Sequence, residues 1–346
     1  MKYNVKQHQI YLIFLYAFTV FSCNEDKKPD TSRINVAIKI QRFEQDLYKE
    51  RAKNPKETND LLVKKYGSFY RDFISQMVGN PNLSGVEVLE NLYKGKAYVD
   101  LHHEVDSVYP KLNKIEDELN QTFKYIKYYY PKVQIPRFIS FLSGFAYQIP
   151  IGENYMGIGL DMFLGKDSKF YPALVKSIPK YQSTRFEPIY IVPRLTEEFA
   201  KEALFKPNDE DQTLLSQMIY NGKILYFMDQ VLQGNVNDTV KIGYSGRQLA
   251  WCKNFEGNIW GLFLENDLLY QTDFRKIQVY LTDGPFTPGL GDKSDSAPKL
   301  GIWIGWQMVK KYMIENPDVT LQQLMADTDA QKILTKSKYK PKIKEN

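Results

Sequence analysis

Histidine and cysteine are almost missing from this chain: its 346 residues hold three histidines and two cysteines. With Cys23 and Cys252 as the whole supply, there is no material for a disulfide framework and no paired CxxC to hold zinc. His102 and His103 are adjacent, in Leu101-His102-His103-Glu104. Neighbours on one element point to different faces, which argues against joint ligation of one metal ion. No HExxH, GxSxG, P-loop or dinucleotide-binding glycine pattern occurs, so no cofactor is implied. Ser245, in Gly243-Tyr244-Ser245-Gly246, does not sit in a nucleophile elbow. A large excess of one charge is also missing. The net charge is +5, and a leader carrying two lysines and no acid brings it to +3 on removal. That near balance argues against nucleic acid as a partner. The one long hydrophobic run, Ile10 to Phe21, is about a dozen residues, which is short for a membrane span.

That run has the form of a signal h-region. Lys2 and Lys6 precede it, and Val20-Phe21-Ser22-Cys23 closes it. A small residue just before a cysteine is what a lipoprotein signal peptidase requires. The expectation is that residues 1–22 are removed and Cys23 is lipidated, which changes the membrane relation from spanning to anchored. An ordinary secretory signal with an incidental cysteine is the plainer alternative. Polar residues 23–34 then form a tether, residues 35–335 one globular domain, and the lysine-rich residues 336–346 a solvated basic tail. Asn24 after the lipid cysteine favours the outer membrane facing the periplasm, with the inner membrane or the cell surface as alternatives. Cys252, in apolar Leu249-Ala250-Trp251-Cys252, is expected to be a buried inert thiol.

Hydrophobic residues make up 43% of the chain, enough for a sizeable core. Helical spacing of apolar residues marks about 57–78, 107–129, 210–232 and 300–315, with shorter helices from 195 or 196 to about 205, from 243 to 251, over 258–266 and over 318–335. Phe138–Leu142 and Met156–Leu160 are short, apolar and bounded by Gly and Pro. They read as strands, with a hairpin-like turn at Ile151–Asn154. The fold class is therefore α+β, mostly helical with a small β-sheet. The 25 tyrosines and 20 phenylalanines, with Tyr128-Tyr129-Tyr130 as the densest cluster, fit a core with polar rims, or a glycan surface.

Residues 282–299 form a loop of a length that is often functional. It carries Asp283, Asp292 and Asp295, oxygen donors of the kind Ca²⁺ takes, but at no EF-hand spacing, so solvated loop acids are the plainer reading.

Several segments together resemble the GldB-type gliding-motility lipoproteins of the Bacteroidetes. They are Arg42-Phe43-Glu44-Gln45-Asp46-Leu47, Tyr66-Gly67-Ser68-Phe69-Tyr70, Gly157-Ile158-Gly159-Leu160-Asp161-Met162, Gly222-Lys223-Ile224-Leu225-Tyr226, Asp283-Gly284-Pro285-Phe286-Thr287 and Gly301-Ile302-Trp303-Ile304-Gly305-Trp306. In order, they cover nearly the whole chain. The resemblance implies a membrane-anchored, non-catalytic component of gliding motility and of the associated secretion machinery, with proteins of that apparatus as partners. A weaker similarity is to zincin-like peptidases. In Pro193-Arg194-Leu195-Thr196-Glu197-Glu198-Phe199-Ala200, Thr196 and Ala200 stand where the two histidines of HExxH would be, Glu197 where the general base would be, and Leu225 where a third ligand would be. That reading implies a degenerate, metal-free peptidase architecture; an ordinary amphipathic helix is the alternative. A lipid-anchored envelope hydrolase and a glycan- or peptide-binding module are the competing functions.

Overall fold

The computed structural model describes residues 28–78, 82–232, 234, 236–290 and 296–343. The leader, Cys23, the first part of the expected tether, Asp292, Asp295 and the last three residues lie outside them. The chain divides into two units, Met1–Arg33 and Ile34–Asn346; every regular element among the described residues belongs to the second.

The architecture is α+β and mostly helical, with one four-stranded mixed sheet in the order β1-β2-β4-β3. The strands are β1 (Ile40–Arg42), β2 (Arg137–Phe141), β3 (Ile151–Gly152) and β4 (Tyr155–Gly159). Both apolar runs form strands and run parallel to each other, with Phe138 opposite Met156, and the expected hairpin-like turn at Ile151–Asn154 is present, joining β3 to β4. Only the two-residue β3 turns back antiparallel onto β4. Strand direction depends on the path of the intervening chain, which a local apolar pattern does not encode. β1 pairs parallel with β2, Ile40 opposite Phe138.

Side chains alternate across the sheet. Phe138, Leu142, Met156 and Ile158 enter the larger core with most of the later helices. Ile139, Phe141 and Tyr155 enter a smaller aromatic core with Phe43, Tyr66, Phe69 and Phe73. The smaller core is built by α1 (Phe43–Glu50), α2 (Pro55–Tyr66) and α3 (Ser68–Asp72), which continues as a π-helical turn, Phe73–Met77. Next come α4 (Gly85–Lys94), opened by a reciprocal Ser84–Glu87 capping box, and α5 (Lys96–Val108). α6 (Asn113–Tyr129) starts later than its apolar spacing predicts, because Pro110 separates it from α5. From α6, Asn120 Oδ1 and Glu116 Oε1 accept the backbone N–H groups of Ile38 and Ile40, covering the open side of β1.

The larger core centres on α8 (Leu214–Val231) and α12 (Leu300–Glu315). They cross at two glycines. A Cβ on Gly305 would lie 1.9 Å from the Met218 carbonyl oxygen, and one on Gly222 would lie 2.4 Å from the Gly305 carbonyl carbon. Around this pair lie α7 (Ile191–Phe199), α9 (Asp238–Ile242), α10 (Gly246–Asn254), α11 (Glu256–Glu265), α13 (Leu321–Ala326) and α14 (Ala330–Ser337). α7 begins at Ile191, upstream of the expected start, with Pro193 in its first turn, where no amide donor is needed. Beyond α14, Tyr339 donates a hydrogen bond of 2.6 Å to Glu256 and packs edge-on against Trp260, so part of the expected basic tail is docked on α11. Among the described residues no helix is long and apolar enough to cross a membrane.

Candidate functional site

The peptidase-like segment lies on α7, facing α8. Thr196 is fully buried, and its hydroxyl donates to the Val192 carbonyl one turn back, at 2.8 Å. Ala200 is fully buried and opens a π-helical turn, Ala200–Leu204. Leu225, from α8, is buried in the larger core. None of these three side chains points a metal donor at Glu197, so the residues present do not fit a catalytic zinc. Among the described residues no group of three or more His, Cys, Asp or Glu side chains is arranged to hold a metal ion.

Glu197 is instead clamped by its own helix. Arg194 Nη1 donates to Oε2 at 2.8 Å and Lys201 Nζ to Oε1 at 2.6 Å, the spacings that place side chains on one helix face. Burial pushes the Glu197 carboxyl up, but Lys201 and Arg194 outweigh it and hold the group at about 2. It is a fixed anion rather than a base poised near neutral pH.

Asp283 shares this region. It pairs with Arg185 and lies 3.9 Å from the Lys299 ammonium. A carboxylate engaged by two cations is poorly disposed to ligate Ca²⁺, and neither of its loop partners, Asp292 and Asp295, is among the described residues. Arg185 is threaded past Gly243, which adopts φ +79° and where a Cβ would stand 2.6 Å from Arg185 Nη1. The loop around Asp283 is clasped internally. The Thr287 amide donates to Ser296 Oγ, Ser296 Oγ–H to the Thr287 carbonyl, and Thr287 Oγ1 to the Ala297 carbonyl. Tyr244 holds the Pro298 carbonyl at 2.5 Å and Gln248 the Pro285 carbonyl at 3.1 Å.

Lys299 closes the loop and caps α12 from a left-handed backbone, φ 54°. Such a conformation costs a β-carbon-bearing residue about 1 kcal/mol and is often kept for function. Its side chain is only 12% exposed. Its ammonium donates to the Ile242 carbonyl at 2.5 Å. Burial pushes it down to about 7; Arg194 and Arg185 push the same way, against Asp283 and Glu197. These groups meet in a cavity of 190 Å³ lined by Arg194, Glu197, Lys201, Asp283 and Lys299. Asp283 also borders neighbouring cavities of 330 and 490 Å³, both lined by Arg185. On the adjoining wall Lys241 and Lys310 are matched by Asp229 and Asp238, and Trp306 Nε1 donates to Asp229 at 2.8 Å.

The other candidates fall elsewhere. Ser245 is the N-cap of α10, in a box with Gln248. Cys252 is buried and its thiol is pushed up by burial. His102 is 5% exposed and stacked on Tyr48 at 3.7 Å, while His103 contacts the Tyr48 hydroxyl at 3.2 Å. Trp260, Trp303 and Trp306 are buried and Trp251 is half-buried, so the tryptophans form no exposed aromatic strip. Tyr130 packs on Phe205 and Phe227 as part of the core rim. Sequence reasoning named Glu197 and Asp283 but missed Arg185, Lys201 and Lys299, although Lys201 lies one helical turn past Glu197 and Lys299 ends the loop that holds Asp283.

A family model described as gliding motility protein GldB matches residues 24–341. No curated protein and no solved structure matches the chain significantly.

Proposed function

Because the chain belongs to the GldB family of gliding-motility lipoproteins, we propose that it is anchored in the cell envelope through a lipid on Cys23 and acts there as a non-catalytic component of the gliding apparatus and its secretion machinery. On this reading the folded unit faces the periplasm, carried by the outer membrane. The observation that carries the non-catalytic part is the state of Glu197. The one residue that keeps the peptidase-like pattern is neutralised by Arg194 and Lys201 and has Thr196, Ala200 and Leu225 where metal donors would stand. A general base needs a pKa near the working pH and an electrophile or metal beside it. A Glu held at about 2 between two cations meets neither need.

The experiment is a pull-down from detergent-solubilised envelopes with C-terminally tagged protein, run beside Cys23→Ala and Glu197→Gln. Recovery of motility or secretion components with wild type and Glu197→Gln, reduced with Cys23→Ala, supports an anchored assembly role. Loss of motility with Glu197→Gln, while the protein still folds and still recovers those components, overturns the non-catalytic reading in favour of hydrolysis.

A further inference from the structure

We propose that the cavity beside the first turn of α12 is a binding site for a phosphate monoester dianion, gripped by Arg194, Lys201 and Lys299 with Arg185 across Asp283. The argument starts from charge. Arg194, Lys201 and Lys299 line the cavity with side chains 26%, 28% and 12% exposed, while Arg185, 10% exposed, stands across Asp283 and lines the two neighbouring cavities; among the described residues Glu197 and Asp283 are the carboxylates at the cavity wall. Over this cluster four cationic side chains face two carboxylates among the described residues, an excess of positive charge largely withdrawn from water. Lys241 adds none, since it and Lys310 are balanced by Asp229 and Asp238. Glu198, next along α7, does not line the cavity but acts on Lys201 and Arg194 from beside it, offsetting part of the excess.

Uncompensated buried charge is costly, and proteins keep it where a ligand supplies the counter-charge. A phosphate monoester carries about −1.5 to −2 near neutral pH and offers three acceptor oxygens, which matches this excess. Two further observations favour an anion as the ligand. Arg185 Nε and Nη1, across Asp283 on the side of the neighbouring cavities, are buried without a hydrogen-bond partner among the described residues, so the cluster's guanidinium is under-satisfied. The first turn of α12, which contributes Lys299 and Ile302 to the wall, has no side-chain cap, so its amide groups and helix dipole add to the positive field. Burial, with Arg194 and Arg185 adding to it, depresses the Lys299 ammonium, and a dianion beside it would raise it again. The same chemistry is offered by free phosphate and by the headgroup of a phosphatidate-type lipid.

The test uses the full chain in a nonionic detergent, titrated at constant ionic strength with inorganic phosphate, glycerol 3-phosphate and dihexanoyl phosphatidic acid, with chloride as the control. Binding is read by calorimetry and by thermal shift. The expected result is saturable binding of phosphate absent with chloride, weakened at least tenfold in Lys299→Met. Lys299→Met should also melt higher than wild type without ligand, because it removes a buried excess charge, so lost binding is separated from failure to fold. The exposed Lys276→Met should bind as wild type does. Tighter binding of the lipid than of glycerol 3-phosphate assigns a membrane headgroup; equal or weaker binding assigns a soluble phosphate. No saturable binding of any of the three, or unchanged affinity in Lys299→Met, overturns the site.

Discussion

His102 predicts a specific acid weakness. Its imidazole is 5% exposed, stacked on Tyr48 with an interplanar angle of 9°, and neither ring nitrogen has a hydrogen-bond partner among the described residues. Burial pushes it from 6.5 down to about 4; His103, Arg51 and Arg42 add to this and Asp106 opposes it. Between those two values the unfolded chain binds a proton that the folded chain refuses. Stability is therefore complete above pH 6.5 and is lost as pH falls towards 4. At about 1.4 kcal/mol per unit, the loss from pH 7 to pH 4 is about 3 kcal/mol. His102→Phe keeps a ring against Tyr48 and removes the titration. Any misfit of the larger ring is independent of pH and cancels when each variant is compared with itself at the two pH values. Urea unfolding at pH 7 and pH 4 should show wild type losing about 3 kcal/mol more than His102→Phe. Parallel losses in the two proteins would refute the assignment of a refused proton to His102.

Three further outcomes follow from the core and from α7. Gly305→Ala places a methyl 1.9 Å from the Met218 carbonyl oxygen, so α8 and α12 must part. A loss of about 3 kcal/mol should appear as a lowered Tm, and an unchanged Tm would show that the two helices do not meet there. Glu197→Ala strands Arg194 and Lys201; with these side chains partly exposed, it should cost about 2–3 kcal/mol in urea unfolding, below the 3–5 typical of full burial. Glu197→Gln should cost less, and the reverse order would mean that the clamp is not electrostatic. Thr196→Val removes only a hydroxyl bonded within its own helix, and should change stability by less than about 1 kcal/mol and leave gliding intact. A gliding defect in a stable Thr196→Val protein would show that this position acts directly.

What the sequence discloses depends on how local the information is. α12 is legible because Trp303, Trp306, Val309 and Met313 repeat at helical spacing, and the predicted bounds 300–315 are the observed ones. The two apolar runs are legible as strands, but their parallel pairing is set by the path from Leu142 to Asn154. α4 carries a local signal, the Ser84–Glu87 capping box, outside the segments marked by apolar spacing. Val108 and Leu112 were joined into one helix across Pro110, a break the residue itself announces. The ionic cavity was legible only in fragments. Glu197 and Asp283 attract attention as acids, whereas what distinguishes them is the cations around them. Lys201 is legible as the i+4 partner of Glu197, but Arg185 reaches Asp283 from nearly a hundred residues away, and nothing near Lys299 in sequence signals a buried ammonium on a left-handed backbone.

The sheet also sets an order of events. β1 is made early and lies at the sheet edge, yet its hydrogen-bonding partner is β2 and its cover comes from α6. A chain delivered N-terminus first holds Ile40–Arg42 open while α1 to α6 arrive, and can pair it only once Phe138 has followed. Such distant pairings form slowly, and unpaired edges recruit wrong strands in the meantime. The interval between the arrival of these two strands, more than the strength of the finished sheet, is when the protein is most open to mispairing.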